Sequence, residues 1–263
     1  MLGIGGGSLE ITLLMPLLTW KISKQQGRKL PTSVRGWYRG LLAQASSVAP
    51  ITALQVVSNG LIEKAITGAN RESTDSEKIM ASCGAGVVSA CIYSPVDLIT
   101  IQQQKLGEGP LYSIKHIASN HGLFGGLYRG FTACAVREGI YSCGYLGLAP
   151  VFTSFLREKY PQIAKKSDFL VSLAGAISAG LIAAAITHPV DTTKTCIQGD
   201  LQKTKYRTAI STFFLLLKEN GIRSIYKGAV PRSTRLIGAY IIVSYCREKA
   251  IQYKTNLQNK RIQ

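Results

Sequence analysis

Long apolar runs alternate along the chain with short polar connections rich in lysine and arginine. Six runs, at roughly 3–25, 41–62, 79–104, 131–155, 168–198 and 229–250, come near the ~20 residues with which a helix crosses a bilayer. Most are broken by a proline, a small residue or a charge. Such helices suit a bundle that packs against itself around a water-filled space, because a lone lipid-facing span tolerates none of these well. The pattern predicts an all-α membrane protein of six transmembrane helices.

Inside the runs one set of positions recurs. His188-Pro189-Val190-Asp191-Thr192-Thr193-Lys194 ends the fifth run and continues to Gln198. Ser94-Pro95-Val96-Asp97 ends the third and continues through Thr100 to Gln104, and Met15-Pro16-Leu17-Leu18 ends the first and continues through Lys21 to Gln25. A glycine stands nine residues before each proline, as Gly7, Gly86 and Gly180. Each odd run is then followed by an aromatic-basic-glycine triplet: Tyr38-Arg39-Gly40, Tyr128-Arg129-Gly130 and Tyr226-Lys227-Gly228. Each proline removes one rung of its helical ladder and tilts the segment beyond it, which turns the nearby charges inward. Three ordered copies of one pattern make this a repeat protein. Its units are 1–65, 66–160 and 161–263, each a pair of helices. The first unit is short. From the glutamine to the aromatic of the triplet there are 24 positions in the second unit and 28 in the third, against 13 in the first. A connecting helix is expected in the later two units and is missing from the first.

Composition narrows the partners. The chain has 263 residues with 31 Lys and Arg against 14 Asp and Glu, a net charge of +17, and 46% apolar residues. The positive mean hydropathy of +0.13 and the placing of basic residues in the connections favour a membrane surface. A nucleic-acid binder would carry a basic stripe with interleaved aromatics, and none is present. The six cysteines have no C-x-x-C spacing and mostly sit in apolar runs, so they read as small buried hydrophobes with no disulfide framework. No cleavable targeting segment is visible ahead of Gly5-Gly6-Gly7, and those glycines read as close helix packing. Neither a phosphate-cradling loop nor a nucleophile-base-acid set appears, and His121 and His188 read as turn or interface residues. No enzyme activity, cofactor or metal is expected.

On these motifs the chain resembles the mitochondrial carrier family, whose repeats carry Pro-x-[Asp/Glu]-x-x-[Lys/Arg] on odd helices and an aromatic-[Lys/Arg]-Gly triplet ahead of even ones. The resemblance implies a multi-pass protein of the mitochondrial inner membrane, with its three helix pairs set pseudo-symmetrically around a central cavity and both termini toward the intermembrane space. It also implies solute exchange by alternating access, and triplets that meet membrane lipid, cardiolipin in particular. It implies a matrix gate as well, in which Asp97 pairs with Lys194 and Asp191 with Lys21. The third pair would need an acid at Leu18 and a base at Thr100 and has neither. Losing both is consistent with the cost of stranding one charge in a low-dielectric site. Helices one and three are therefore expected to meet through an uncharged contact, with Gln25, Gln104 and Gln198 bracing the ring. The matching gate at the other end, where even helices of the family carry [Phe/Tyr]-[Asp/Glu]-x-x-[Lys/Arg], is not recognisable. Those places read Asn59-Gly60-Leu61-Ile62-Glu63, Ala149-Pro150-Val151-Phe152-Thr153 and Tyr245-Cys246-Arg247-Glu248-Lys249.

The resemblance places substrate contacts midway along the even helices. These are Ser47, Ile51 and Thr52 on the second, Arg137 and Glu138 on the fourth, and Arg235 with Arg232 on the sixth. Adjacent Arg137 and Glu138 have two readings: intramembrane ion pairs with neighbouring helices or with a partner protein, or a site for a solute bearing both carboxylate and amine, with Arg235 gripping the carboxylate. Glu10 either lines the cavity or packs near a helix start. Function divides likewise. One reading is exchange of a small anionic or zwitterionic solute, a carboxylate or amino acid. The other is a carrier-fold subunit of a large inner-membrane complex, such as a respiratory one, that no longer transports.

Overall fold

A computed structural model describes residues 2–68, 71 and 73–262. All regular elements among them are helices. Six are long: α1 (Leu2–Gln25), α3 (Leu41–Thr67), α4 (Asp75–Leu106), α7 (Phe131–Lys159), α9 (Asp168–Gly199) and α12 (Ala229–Ile262). They match the six apolar runs, several of them longer at one or both ends. Contacts run in a closed ring from α1 to α3, α4, α7, α9, α12 and back to α1. Over the described residues, 34–67 and the helices α4, α7 and α9 are long and apolar enough to cross a membrane. The remaining two bring charge to the interior, Glu10 and Lys21 on α1 and Arg232 and Arg235 on α12. Apolar side chains such as Leu13, Leu61, Val151 and Ile186 are exposed on the outside of the ring, as lipid-facing surfaces require.

The recurring glycines explain how each pair closes up. A Cβ on Gly7 would lie 2.8 Å from Cγ1 of Val48, one on Gly86 2.6 Å from the Glu138 carbonyl oxygen, and one on Gly180 2.5 Å from the Tyr240 ring. Each odd helix thus meets the even helix of its own unit at a point with no room for a side chain. The triplet glycines do a second job. Gly40, Gly130 and Gly228 have φ of 92°, 78° and 82°, a left-handed turn that only glycine adopts freely. Each lies against the next odd helix: Gly40 on Thr100, Gly130 on Gln198 and Gly228 on Lys21 and Gln25. The two sets of contacts follow a threefold pattern.

The three prolines lie inside α1, α4 and α9, and the helix segments beyond them converge at one end of the bundle, here termed the proline end. Packing is densest there, where every residue from Asp191 to Gly199 is buried. Short helices cover this end in the second and third units: α5 (Pro110–His121) with α6 (Leu123–Leu127), and α10 (Ala209–Asn220) with α11 (Ile222–Ile225). Ile117 of α5 is buried with Leu98 and Leu201, and Leu216 of α10 with Cys196 and Ile225. The first unit has only α2 (Val34–Trp37), a single turn capped by Ser33. Its connection is too short for a counterpart of α5. A further short helix, α8 (Pro161–Lys166), leads from α7 into α9.

Candidate functional site

The segments beyond Pro16, Pro95 and Pro189 bring the three odd helices within hydrogen-bonding range. Lys21 Nζ lies 2.7 Å from Asp191 Oδ2, and the Asp191 side chain is fully buried. Lys194 pairs with Asp97. These are the two ion pairs that the family resemblance implied. The glutamines hand the connection round in a cycle. Gln25 Nε2 donates to Asp191 Oδ2 at 2.9 Å, linking α1 to α9, and Gln198 Nε2 donates to the Ser94 carbonyl at 3.1 Å, linking α9 to α4. Gln104 Nε2 donates to Thr19 Oγ1 at 3.0 Å, linking α4 to α1.

The place of the third pair is uncharged, in a way that differs from expectation. Leu18 is buried with Met15, Ile22 and Ile101, so the apolar contact between α1 and α4 runs through Ile101. Thr100 is wholly buried beneath Gly40 and accepts a hydrogen bond from Gln44 Nε2 at 3.1 Å. The same amide donates to Asp97 Oδ1 at 3.0 Å. A glutamine on an even helix therefore fills the gap, which the odd-helix motifs gave no means of seeing.

Next to this ring lies a cavity of about 310 Å³. All seven side chains assigned to substrate contact line it: Ser47, Ile51, Thr52, Arg137, Glu138, Arg232 and Arg235. They are not equivalent. Ser47 donates its hydroxyl to the Gln44 carbonyl at 2.7 Å and Thr52 to the Val48 carbonyl at 2.8 Å, so both are spent on their own helix. Ile51 is buried and offers only an apolar wall. Arg137 pairs with its neighbour Glu138, lies over Tyr93 at 6.0 Å, and stands 3.6 Å from both Asp97 and Asp191. It spans both gate aspartates, a reach the linear sequence does not show. Arg235 Nη2 meets Glu10 Oε1 at 3.0 Å, which places Glu10 on the cavity wall. Arg232 lies 3.8 Å from Asp191 and donates to Thr187 Oγ1 at 2.9 Å.

Sequence reasoning missed two tyrosines, Tyr93 and Tyr141, and read His188 as a turn or interface residue, which is where it lies. His188 is buried, with Nε2 3.1 Å from the Lys227 carbonyl oxygen and Nδ1 3.4 Å from Arg232. Tyr93 and Tyr141 line the cavity, and the Tyr141 hydroxyl meets that of Tyr240 at 2.9 Å, between α7 and α12. Five cations, Lys21, Lys194, Arg137, Arg232 and Arg235, face four carboxylates, Glu10, Asp97, Asp191 and Glu138, around this space. One positive charge is left over. At the far end, the side chain of Arg247 lies outside the described residues. No group of three or more metal-ligating side chains occurs among the described residues.

Two stretches of the chain, residues 72–160 and 165–258, match the family model for the mitochondrial carrier protein. The chain belongs to the mitochondrial carrier family. The family's members are multi-pass transporters and not enzymes. A calcium-binding mitochondrial carrier protein of Dictyostelium discoideum is 31% identical over 205 residues, covering 77% of this carrier and 26% of that protein. The human electrogenic aspartate/glutamate antiporter SLC25A13 is 32% identical over 206 residues, 76% of this carrier and 30% of that protein. This carrier thus spans less than a third of the length of these relatives. An uncharacterized mitochondrial carrier of Schizosaccharomyces pombe is 27% identical over 261 residues, 94% of this carrier and 89% of that one.

Proposed function

We propose that this carrier exchanges a small carboxylate or amino acid across the mitochondrial inner membrane by alternating access, with its proline end toward the matrix and its termini toward the intermembrane space. One observation carries the reading: Arg137, Arg235 and Arg232, brought in from two even helices, line a single cavity whose floor is the Lys21–Asp191 and Lys194–Asp97 ion pairs. A binding site is thereby joined directly to a gate.

In this reading Arg137 and Arg235 receive the carboxylate, since a guanidinium offers paired donors to a planar anion. Arg235 Nε is buried without a hydrogen-bond partner, and Arg137 Nε faces Asp191 at 3.6 Å, beyond hydrogen-bonding range. Glu138 takes an amine if the solute has one. Arg137 also supplies the coupling. It stands 3.6 Å from both gate aspartates, so a solute carboxylate that draws it away removes a cation from each pair at once. The ring weakens when the cavity is filled and re-forms when it empties. Gln25, Gln104 and Gln198 set how much of the ring persists meanwhile, and Pro16, Pro95 and Pro189 set where the odd helices bend. Two of the relatives carry a carboxylate solute in their names, the human aspartate/glutamate antiporter and a 2-oxodicarboxylate carrier of Saccharomyces cerevisiae. The first triplet serves membrane lipid, cardiolipin in this membrane: Tyr38, Arg39 and Gly40 border a groove of about 250 Å³ that ends at Gly109 and Pro110, where α5 begins, whereas Arg129 of the second is buried and donates to the Ile197 and Tyr206 carbonyls.

The test is counter-exchange. Purified protein in liposomes loaded with carboxylates and amino acids should take up labelled solute and lose that uptake in Arg235→Ala. Absence of exchange across a broad panel of both classes would refute the reading.

A further inference from the structure

Past Tyr93, Glu138 and Tyr141 the cavity continues into a second space of about 490 Å³ between α3, α4 and α7. Its walls differ in kind from the charged floor. Gln55 and Asn59 of α3, Ser82 and Gly86 of α4 and Ser142 of α7 line it, all uncharged. Its one ionisable wall carboxylate, Glu138, is already held by Arg137. The uncharged wall runs along α4 from Tyr93 back to Ser82, about 16 Å at the rise of a helix.

The wall is not saturated. Gln55 Nε2 donates to Ser89 Oγ at 3.3 Å, and Asn59 Oδ1 accepts from Ser82 Oγ at 3.0 Å. These are the hydrogen bonds that Gln55 and Asn59 make among the described residues. The Gln55 carbonyl and the Asn59 amide nitrogen remain for a ligand. A pocket lined this way recognises amides and hydroxyls, and rejects analogues without them because its own polar groups would be left unpaired.

Combined with the single surplus positive charge at the floor, this wall narrows the solute, on the transport reading given above. We propose that the solute carries one net negative charge, a carboxylate at Arg137 and Arg235, and an uncharged hydrogen-bonding body of the amide or hydroxyl class that fills the second space. A compact dicarboxylate puts two charges where one is balanced and leaves the second space to water. An acidic amino acid meets the charge requirement and leaves the same space unused.

The experiment compares three labelled probes in preloaded proteoliposomes: N-acetylglutamine, a monocarboxylate with two uncharged amides, against 2-oxoglutarate and aspartate. N-acetylglutamine is expected to exchange fastest. The double variant Gln55→Leu/Asn59→Leu should raise its half-saturating concentration about tenfold, the effect of roughly two lost hydrogen bonds, and leave any exchange of the compact probes within about twofold. The near-isosteric Gln55→Met probes the same wall without adding charge and should likewise weaken N-acetylglutamine alone. Exchange of a compact probe with none of N-acetylglutamine, or wild-type handling of N-acetylglutamine by both variants, overturns this inference and leaves the transport reading standing. Failure of all three probes overturns this inference, and the transport reading falls with it only when the broad panel of carboxylates and amino acids fails as well.

Discussion

Gln25 donates to the same Asp191 carboxylate that Lys21 grips, at 2.9 Å and 2.7 Å, from positions four residues apart on α1. Asp191 thereby becomes the centre of the proline end, with Arg137 at 3.6 Å and Arg232 at 3.8 Å completing its surroundings. Removing the carboxylate leaves several buried cations facing one another, whereas removing Lys21 leaves Asp191 with two arginines and a glutamine. Asp191→Ala should therefore cost about 3–5 kcal/mol, and Lys21→Ala distinctly less. Thermal unfolding of the two variants in detergent checks the order. Equal losses would mean that the pair acts alone and the arginines contribute nothing.

The missing third pair is not a simple deletion that two substitutions could reverse. Thr100 is wholly buried, and a Cβ on Gly40 would already stand 2.5 Å from its Cγ2. A lysine there has no room, and inserting atoms into a packed site costs about 1–3 kcal/mol. Leu18→Glu together with Thr100→Lys is accordingly expected to stay less stable than the wild type, although the two charges have opposite sign. A double variant with a melting temperature at or above that of the wild type would show that the gap is loosely packed.

Much of this architecture was legible in the linear sequence because it is repetitive. Glycine, proline and glutamine at fixed spacing revealed the threefold repeat, and the prolines marked where the odd helices would bend. Side chains that act across units were not legible. Gln44 carries no motif, yet it fills the place of the lost pair, and ion pairs from Arg137 to neighbouring helices were one of its two readings, without the sequence naming Asp97 or Asp191 as the partners. Such contacts depend on how far one helix is rotated against the next, and spacing along one chain does not encode that angle. His188, read as a turn or interface residue, does sit at a helix interface, where Arg232 from the other helix of its own unit, and Lys227 just ahead of that helix, meet it.

The recurring glycines rank by what they face. The missing Cβ of Gly86 would meet a backbone oxygen, that of Glu138, at 2.6 Å, whereas that of Gly7 would meet a methyl group of Val48 at 2.8 Å. A valine methyl can turn aside, and a helix backbone can move only with its whole helix. Gly86→Ala is expected to lower the melting temperature more than Gly7→Ala, and to displace Glu138 enough to slow exchange. If the order were reversed, the α4–α7 crossing would be softer than its geometry indicates.

Outside the membrane-spanning segments, Asp200 organises the turn after α9. Partial burial works to raise its carboxyl pKa, but hydrogen bonds from the backbone amides of Tyr206 and Lys205, and from Thr204, hold it down at about 2. A carboxyl held below its unfolded value of about 3.9 stabilises the fold at pH above that value, and the contribution fades as pH falls toward 2. Comparing the acid unfolding of the wild type with that of Asp200→Asn isolates this group from the other carboxylates. The difference in stability should be full at pH 6 and shrink between about pH 4 and pH 2. A difference that does not change with pH would mean that the Asn side chain caps the turn equally well.

Arg137 and Arg235 both line the cavity, and stability measurements should tell them apart. Arg137 is largely buried and touches three carboxylates, those of Glu138, Asp97 and Asp191. Arg235 is more exposed, with 29% of its side chain accessible, and holds Glu10 alone. Replacing Arg137 by alanine leaves Glu138 buried without its partner and withdraws a cation from both gate pairs, at a cost of about 3–5 kcal/mol. For Arg235 the loss should be about 1 kcal/mol, because its partner can recover solvent. Both variants are expected to lose exchange, Arg137→Ala with a large drop in melting temperature and Arg235→Ala with a small one. Should Arg137→Ala unfold at the wild-type temperature, the gate would be standing without it, and the coupling of cavity to gate through that guanidinium would have to be abandoned.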